Sequence, residues 1–177
     1  MSKRFIAVFA AVLSAVMLFS CGSTHKSSGI DETVALDKII EAVGRLDAEL
    51  YMQAFPPDYI SAVTEDYSVV GISHSDTIKA DMQTTLDVRE AAFGDDSYAY
   101  YTYVSMQVAD IDRLNDDYTD FYTDYSLPLE DISEAYTVTV IITVGGDDGE
   151  NKSEAYLTFI KIGGSWYLHP KFYPYMV

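Results

Sequence analysis

The stretch LTFIKIGGSWYL, residues 157–168, decides the fold of this chain. Two runs rich in β-branched and aromatic residues flank the pair Gly163-Gly164. Because glycine accepts the positive φ angles that a two-residue hairpin turn requires, this pattern predicts two antiparallel strands, 153–162 and 165–170.

Two more strands are predicted upstream of this hairpin. Residues 133–144 alternate, with five apolar or aromatic side chains on one face. Residues 97–109 also alternate, but with aromatic side chains on both faces. This period of two is typical of strands. The Gly- and Asp-rich segment 145–152 is predicted to be the turn before the final hairpin.

Helical spacing dominates the first half of the chain. Residues 31–54 predict a bent helix, with Asp47 capping a short second piece over 48–55 and Pro56-Pro57 ending it. Further helices are predicted over 77–93, with Asp76 as N-cap, and over 110–125. Since helices come first and the strands form hairpins without β-α-β alternation, we expect an α+β fold, with N-terminal helices packed on a curved antiparallel sheet.

The amino terminus has the layout of a secretory signal. Lys3 and Arg4 precede an uncharged apolar run over 5–19, which is short for a membrane span, and Leu18-Phe19-Ser20-Cys21 has the form of a lipobox. Resemblance to bacterial lipoproteins implies a diacylglycerol on Cys21, which would supply the two chains that stable anchoring needs. The alternatives are an uncleaved anchor and an ordinary signal peptide with a coincidental cysteine.

This interpretation divides the chain into three parts. Residues 1–20 are the expected signal peptide, 21–30 a flexible tether, and 31–177 a single α+β domain outside the cytoplasm, held to the membrane through Cys21. The formal charge is −17, and loss of the two cations in 1–20 would make it −19. Such a charge argues against nucleic-acid binding and against docking on anionic lipid.

Three stretches carry a family resemblance: Phe55-Pro56-Pro57, the strand beginning ISEAYTVTV at Ile132, and the closing hairpin quoted above. Over about residues 31–169 the chain is similar to small bacterial lipoproteins of the nuclear-transport-factor-two-like, cystatin-like cone superfamily. The resemblance implies a sheet curled around a helix to leave a cone-shaped pocket. Its members include isomerases and cyclases as well as binding and accessory domains, so the fold alone does not indicate a function.

Aromatic side chains are the candidates for lining such a pocket. Among 15 tyrosines and one tryptophan, we expect Tyr101, Tyr103, Tyr156 and Trp166 to lie near it, since aromatic walls with polar tips suit a small ligand. The alternative is ordinary core packing with hydroxyl groups at the rim.

Catalytic and metal-binding residues are harder to find. Asp66 beside Tyr67, or His74, would suit an acid-base role, but their spacing singles out none of them, and His169 is expected at the rim. No catalytic residue, metal ligand or cofactor is therefore assigned. Two acidic segments are considered as calcium sites, namely the loop 145–151 and the helical stripe of Asp112, Asp116, Asp120 and Asp124. We interpret the stripe instead as a solvated helix face and the loop as a plain turn.

The sequence thus favours a lipid-anchored binding or accessory domain for a small apolar ligand or an envelope protein. The first alternative is a ketosteroid-isomerase-like enzyme acting on a small apolar substrate. The second is a calcium-binding envelope protein.

Overall fold

A computed structural model describes residues 27–114 and 132–172 of the chain. Its helices are α1 (Val34–Arg45), α2 (Ala48–Met52), α3 (Pro57–Val69) and α4 (His74–Phe93). Its strands are β1 (Tyr98–Val108), β2 (Ile132–Gly146), β3 (Gly149–Ile162) and β4 (Ser165–Leu168). Short 3-10 turns lie at Asp31–Thr33 and Pro170–Phe172.

The strands form one antiparallel sheet in the order β1-β2-β3-β4, with helices packed against it, which confirms the α+β prediction. The predicted turn in the final hairpin is also confirmed, because Gly163 and Gly164 have φ angles of 58° and 84°. Bulges in β1, between Tyr103 and Ser105, and near the start of β2 interrupt the register. Such bulges bend strands.

The turn predicted over 145–152 is too long. The β2–β3 ladder continues to the pair Gly146–Gly149, which leaves only Asp147 and Asp148 in the turn. Gly149 takes a φ of 135°, and the carboxylate of Glu150 pairs with Lys152 at 2.8 Å. Because Gly149 can adopt this positive φ angle, the turn needs only two residues, and the strands extend further than the Gly- and Asp-rich composition of 145–152 suggested.

Two helix boundaries also need correction. Helix α2 ends at Met52, before the prolines and short of the predicted 48–55. Pro57 then begins α3, a helix that was not predicted; proline suits the first helical position, whose N–H needs no intrahelical partner. Helix α4 begins at His74 rather than Thr77, because Ser73, not Asp76, is its N-cap: the Ser73 hydroxyl accepts from the Asp76 N–H at 3.2 Å.

The bend between α1 and α2 follows the prediction. Leu46 ends α1 in the left-handed conformation, with φ 53°. Asp47 caps α2 by accepting from the Leu50 N–H at 3.0 Å. The turn lets both helices bury their apolar sides in one core with the sheet, where Phe159 and Leu168 are fully buried.

The amino-terminal end of the described chain is bonded to β1. The Ser28 N–H donates to the Tyr101 carbonyl at 3.0 Å, and the Tyr103 N–H donates to the Ser28 carbonyl at 2.8 Å. Ser27 and Ser28, which the sequence assigned to the flexible tether, thus lie against the sheet edge.

Several predictions fall outside the described residues. These are the lipobox with Cys21, Asp116, Asp120 and Asp124 of the acidic stripe, and all but the first turn, 111–114, of the helix predicted over 110–125. In the part of the chain that is described, no helix has the length and apolar character needed to cross a bilayer.

Candidate functional site

A cavity of about 430 Å³ lies between α1, α4 and the sheet. The apolar face of α1 forms one wall and the last turns of α4 form another. Its lining residues are Leu36, Ile39, Ile40, Val43, Thr85, Val88, Arg89, Ala92, Phe93, Ala99, Ile142, Val144 and Asn151. Its volume falls within the range of about 300–1,000 Å³ that is usual for small-molecule sites.

The α1 wall follows from helical spacing. Leu36, Ile39, Ile40 and Val43 lie at i, i+3, i+4 and i+7, and therefore project from one side of the helix. Ala99 of β1 supplies a small side chain beside them. Its cross-strand partner, Val144 of β2, lies on the same face of the sheet.

The end of the cavity near the β2–β3 turn is held against α4. The Asp148 N–H donates to the Phe93 carbonyl at 3.3 Å. Gly146 makes this approach possible, because a Cβ at that position would collide with the Phe93 carbonyl oxygen. The turn and the carboxyl end of α4 are thereby fixed together beside the cavity.

The cavity reaches the protein surface. Val88 is 65% exposed and Asn151 is also exposed, yet both contribute to the lining. By contrast, Leu36 and Ile39 at the inner wall are buried. A ligand therefore has an open entrance between α4 and β3 and an apolar interior.

Arg89 is the one charged side chain among the described lining residues. Its Nε donates to the Ser97 hydroxyl at 3.1 Å, which holds the guanidinium beside the wall. Partial burial lowers the pKa of Arg89, and the nearby Glu90 charge opposes that shift. Even so, an arginine remains protonated at physiological pH.

The four aromatic residues expected at a pocket are dispersed. Tyr101 is buried, with its hydroxyl 2.9 Å from the Thr33 hydroxyl, and burial raises its pKa to about 12. Tyr103 and Trp166 are partly buried against the core, with the Trp166 ring 5.5 Å from that of Tyr136.

Tyr156 lies at a different kind of position. It is 61% exposed, and its hydroxyl donates to Glu154 at 2.9 Å. Within the described lining of the cavity, none of Tyr101, Tyr103, Tyr156 and Trp166 appears. Packing against the core, the alternative stated above, describes Tyr101, Tyr103 and Trp166.

The residues considered for acid-base chemistry lie away from this cavity. His74 is buried, stacks on Tyr67 with ring centroids 4.8 Å apart, and has its Nδ1 2.7 Å from the Thr64 hydroxyl; burial lowers its pKa. Asp66 is exposed. His169, expected at a rim, is instead buried where β4 ends.

Calcium binding is the other function that the sequence raised. Within residues 27–114 and 132–172, no group of three or more His, Cys, Asp or Glu side chains is placed to hold a metal ion. The loop 145–151 is mostly strand, with a two-residue turn.

Sequence reasoning missed Arg89 and the part of α4 around it. Val88, Ala92 and Phe93 of α4 line the cavity beside Arg89. The available signal was an arginine whose neighbours at i−3, i+3 and i+4 are Leu86, Ala92 and Phe93, on a helix whose exposed positions are mostly polar.

Comparison with protein-family models, with curated proteins and with solved structures found no match to this chain. The resemblance to the cone superfamily therefore stays a prediction.

Proposed function

We propose that this chain is a lipid-anchored extracytoplasmic protein whose domain binds a small apolar ligand between α1 and α4. The single observation that carries the binding proposal is the open, apolar cavity of about 430 Å³. At about 30 Å³ for each water-sized group, this volume holds roughly 14 non-hydrogen atoms, and the open entrance lets a slightly larger ligand extend out of it.

The composition of the wall supports binding more than isomerisation. A ketosteroid-isomerase-like enzyme needs an acid or base within reach of its substrate. Among the described lining residues, the polar side chains are Thr85, Arg89 and Asn151, and none of these is a carboxylic acid or a histidine. Contact with apolar surface is what this wall offers a ligand.

A pair of neighbouring alanines in α4 permits a matched test of binding. Ala91 and Ala92 are both exposed, but only Ala92 is among the lining residues. Ala92→Phe should fill part of the cavity, whereas Ala91→Phe adds the same side chain outside it. The probe is the neutral dye N-phenyl-1-naphthylamine, whose fluorescence rises in apolar surroundings.

The purified protein should bind the dye, Ala91→Phe should bind it equally, and Ala92→Phe should bind it at least about tenfold more weakly, a loss of about 1.4 kcal/mol. Thermal unfolding of all three proteins monitors the fold. A natural sequence that binds no dye, or equal weakening in both variants, would contradict the proposed site.

The anchoring part of the proposal rests on the lipobox around Cys21. Cys21→Ser removes the thiol to which a lipid would be attached, and the strongly acidic chain offers no basic patch as a second membrane signal. We expect the natural protein to stay with membranes after a carbonate wash and the serine variant to be released. Retention of the serine variant would contradict lipid anchoring.

A further inference from the structure

We infer that the ligand of this cavity carries an anionic head group, a carboxylate, which Arg89 binds while the apolar body of the ligand lies against α1. This inference rests on the proposed function and assigns it a ligand class: a single-chain amphiphile with an acidic end, such as a medium-chain fatty acid.

The first argument is the hydrogen bonding of the Arg89 guanidinium. A guanidinium has five N–H donors in a rigid fork that matches a carboxylate. The structure uses one of them, Nε, for the Ser97 hydroxyl. Among the described residues no other acceptor is bonded to Arg89, so its four Nη donors remain available to a ligand.

The second argument is that Arg89 combines partial burial beside an apolar wall with the lack of a described ion pair, unlike Arg45 and Lys161. Arg45 pairs with Glu41 at 2.6 Å, and Lys161 pairs with Glu134 at 2.6 Å. Arg89 is partly buried in a protein with 28 acidic residues, yet no described carboxylate lies within ion-pair distance of it. A positive charge left beside an apolar wall is unfavourable, and an anionic ligand would offset that cost.

The third argument is position. Arg89 follows Val88, which lines the exposed entrance, and lies one helical turn before Ala92 and Phe93. A carboxylate at Arg89 would therefore sit toward the water, while the attached chain would extend to the buried side chains of Leu36 and Ile39. This arrangement suits a ligand with one charged and one apolar end.

The experiment compares decanoate with 1-decanol, which share a ten-carbon chain and fall within the ligand size estimated above. Each compound is titrated against the dye-loaded protein at pH 7.5 in about 0.15 M salt, which screens the exposed acidic groups. The variants are Arg89→Gln, which removes the charge, and Arg89→Lys, which keeps it without the fork. Lys79→Gln is the control, because it removes one exposed cation from the same helix.

The natural protein and Lys79→Gln should bind decanoate about tenfold more tightly than decanol, since hydrogen bonds to charged groups contribute at least that much. Arg89→Gln should lose this preference and retain its affinity for decanol within about twofold. Arg89→Lys should keep part of the preference.

Two other results separate the proposals. Binding of decanol without preference for decanoate, or a preference that survives in Arg89→Gln, would overturn the assignment of an acidic ligand and leave the apolar cavity as proposed. Failure of both compounds to displace the bound dye would overturn this inference alone, whereas a protein that binds neither compound nor dye would overturn the proposed function and this inference with it.

Discussion

Mild acid should destabilise this protein through His169. The side chain is only 2% exposed, and its Nδ1 accepts the Lys171 N–H at 3.0 Å, so the neutral ring carries its proton on Nε2. Burial, with a smaller contribution from the Lys171 charge, lowers the pKa of His169 from its usual 6.5 to about 2. The folded protein therefore holds this imidazole neutral across the physiological range.

The sign of the effect follows from this depressed pKa. Above pH 6.5 both states are neutral at His169 and no stability is lost. As the pH falls below 6.5 the unfolded chain binds a proton that the folded chain does not, so the free energy of unfolding decreases until the pH reaches about 2. Between pH 7 and pH 5 the loss from this one group is about 2 kcal/mol, at about 1.4 kcal/mol per pH unit below 6.5.

His169→Asn isolates this contribution, because the Asn side-chain oxygen can accept the same Lys171 N–H bond and does not titrate. Urea unfolding of both proteins at pH 7 and pH 5 gives four free energies. The histidine protein should be the more stable at pH 7 because its ring fills the site, and this advantage should shrink by about 2 kcal/mol at pH 5. An advantage that is the same at both pH values would refute the reasoning.

Two further predictions concern stability and are measured by urea unfolding. Tyr101→Phe removes the buried hydroxyl pair with Thr33 and should lower the free energy of unfolding by about 1 kcal/mol; an unchanged value would mean that this hydrogen bond contributes nothing. Gly146→Ala should lower it by about 1–3 kcal/mol, because the added methyl group meets the Phe93 carbonyl. Gly44→Ala, in an open helical position, should instead raise it by about 0.5–1 kcal/mol, and the opposite order would contradict the packing described.

The elements that could be predicted from the sequence are those with strong local signals. Gly163-Gly164 specifies its own turn, and Asp47 caps α2 through its own neighbours. The period-two alternation of β1 and β2 likewise needs no tertiary information. Helix α3 was missed because it buries only Tyr59 and Val63, so its apolar periodicity is weak and the prolines dominated the interpretation.

The candidate site could not be predicted, because it depends on contacts between distant segments. Arg89 becomes part of a wall only because α4 packs across from α1 and beside β2. Tyr101 is of a residue type that is common in pockets, but its hydroxyl is hydrogen-bonded inside the core to that of Thr33, 68 positions away in the chain. Whether an aromatic side chain lines a pocket or is buried in the core is decided by tertiary packing, which residue type alone does not specify.

A crystal structure of the purified protein with 1-decanol tests the central claim most directly. The account predicts electron density for the alkyl chain between α1 and α4, within about 4–4.5 Å of Ile39, Val88 and Ile142. An empty cavity at saturating decanol, or an alkyl chain bound at another surface, would contradict it.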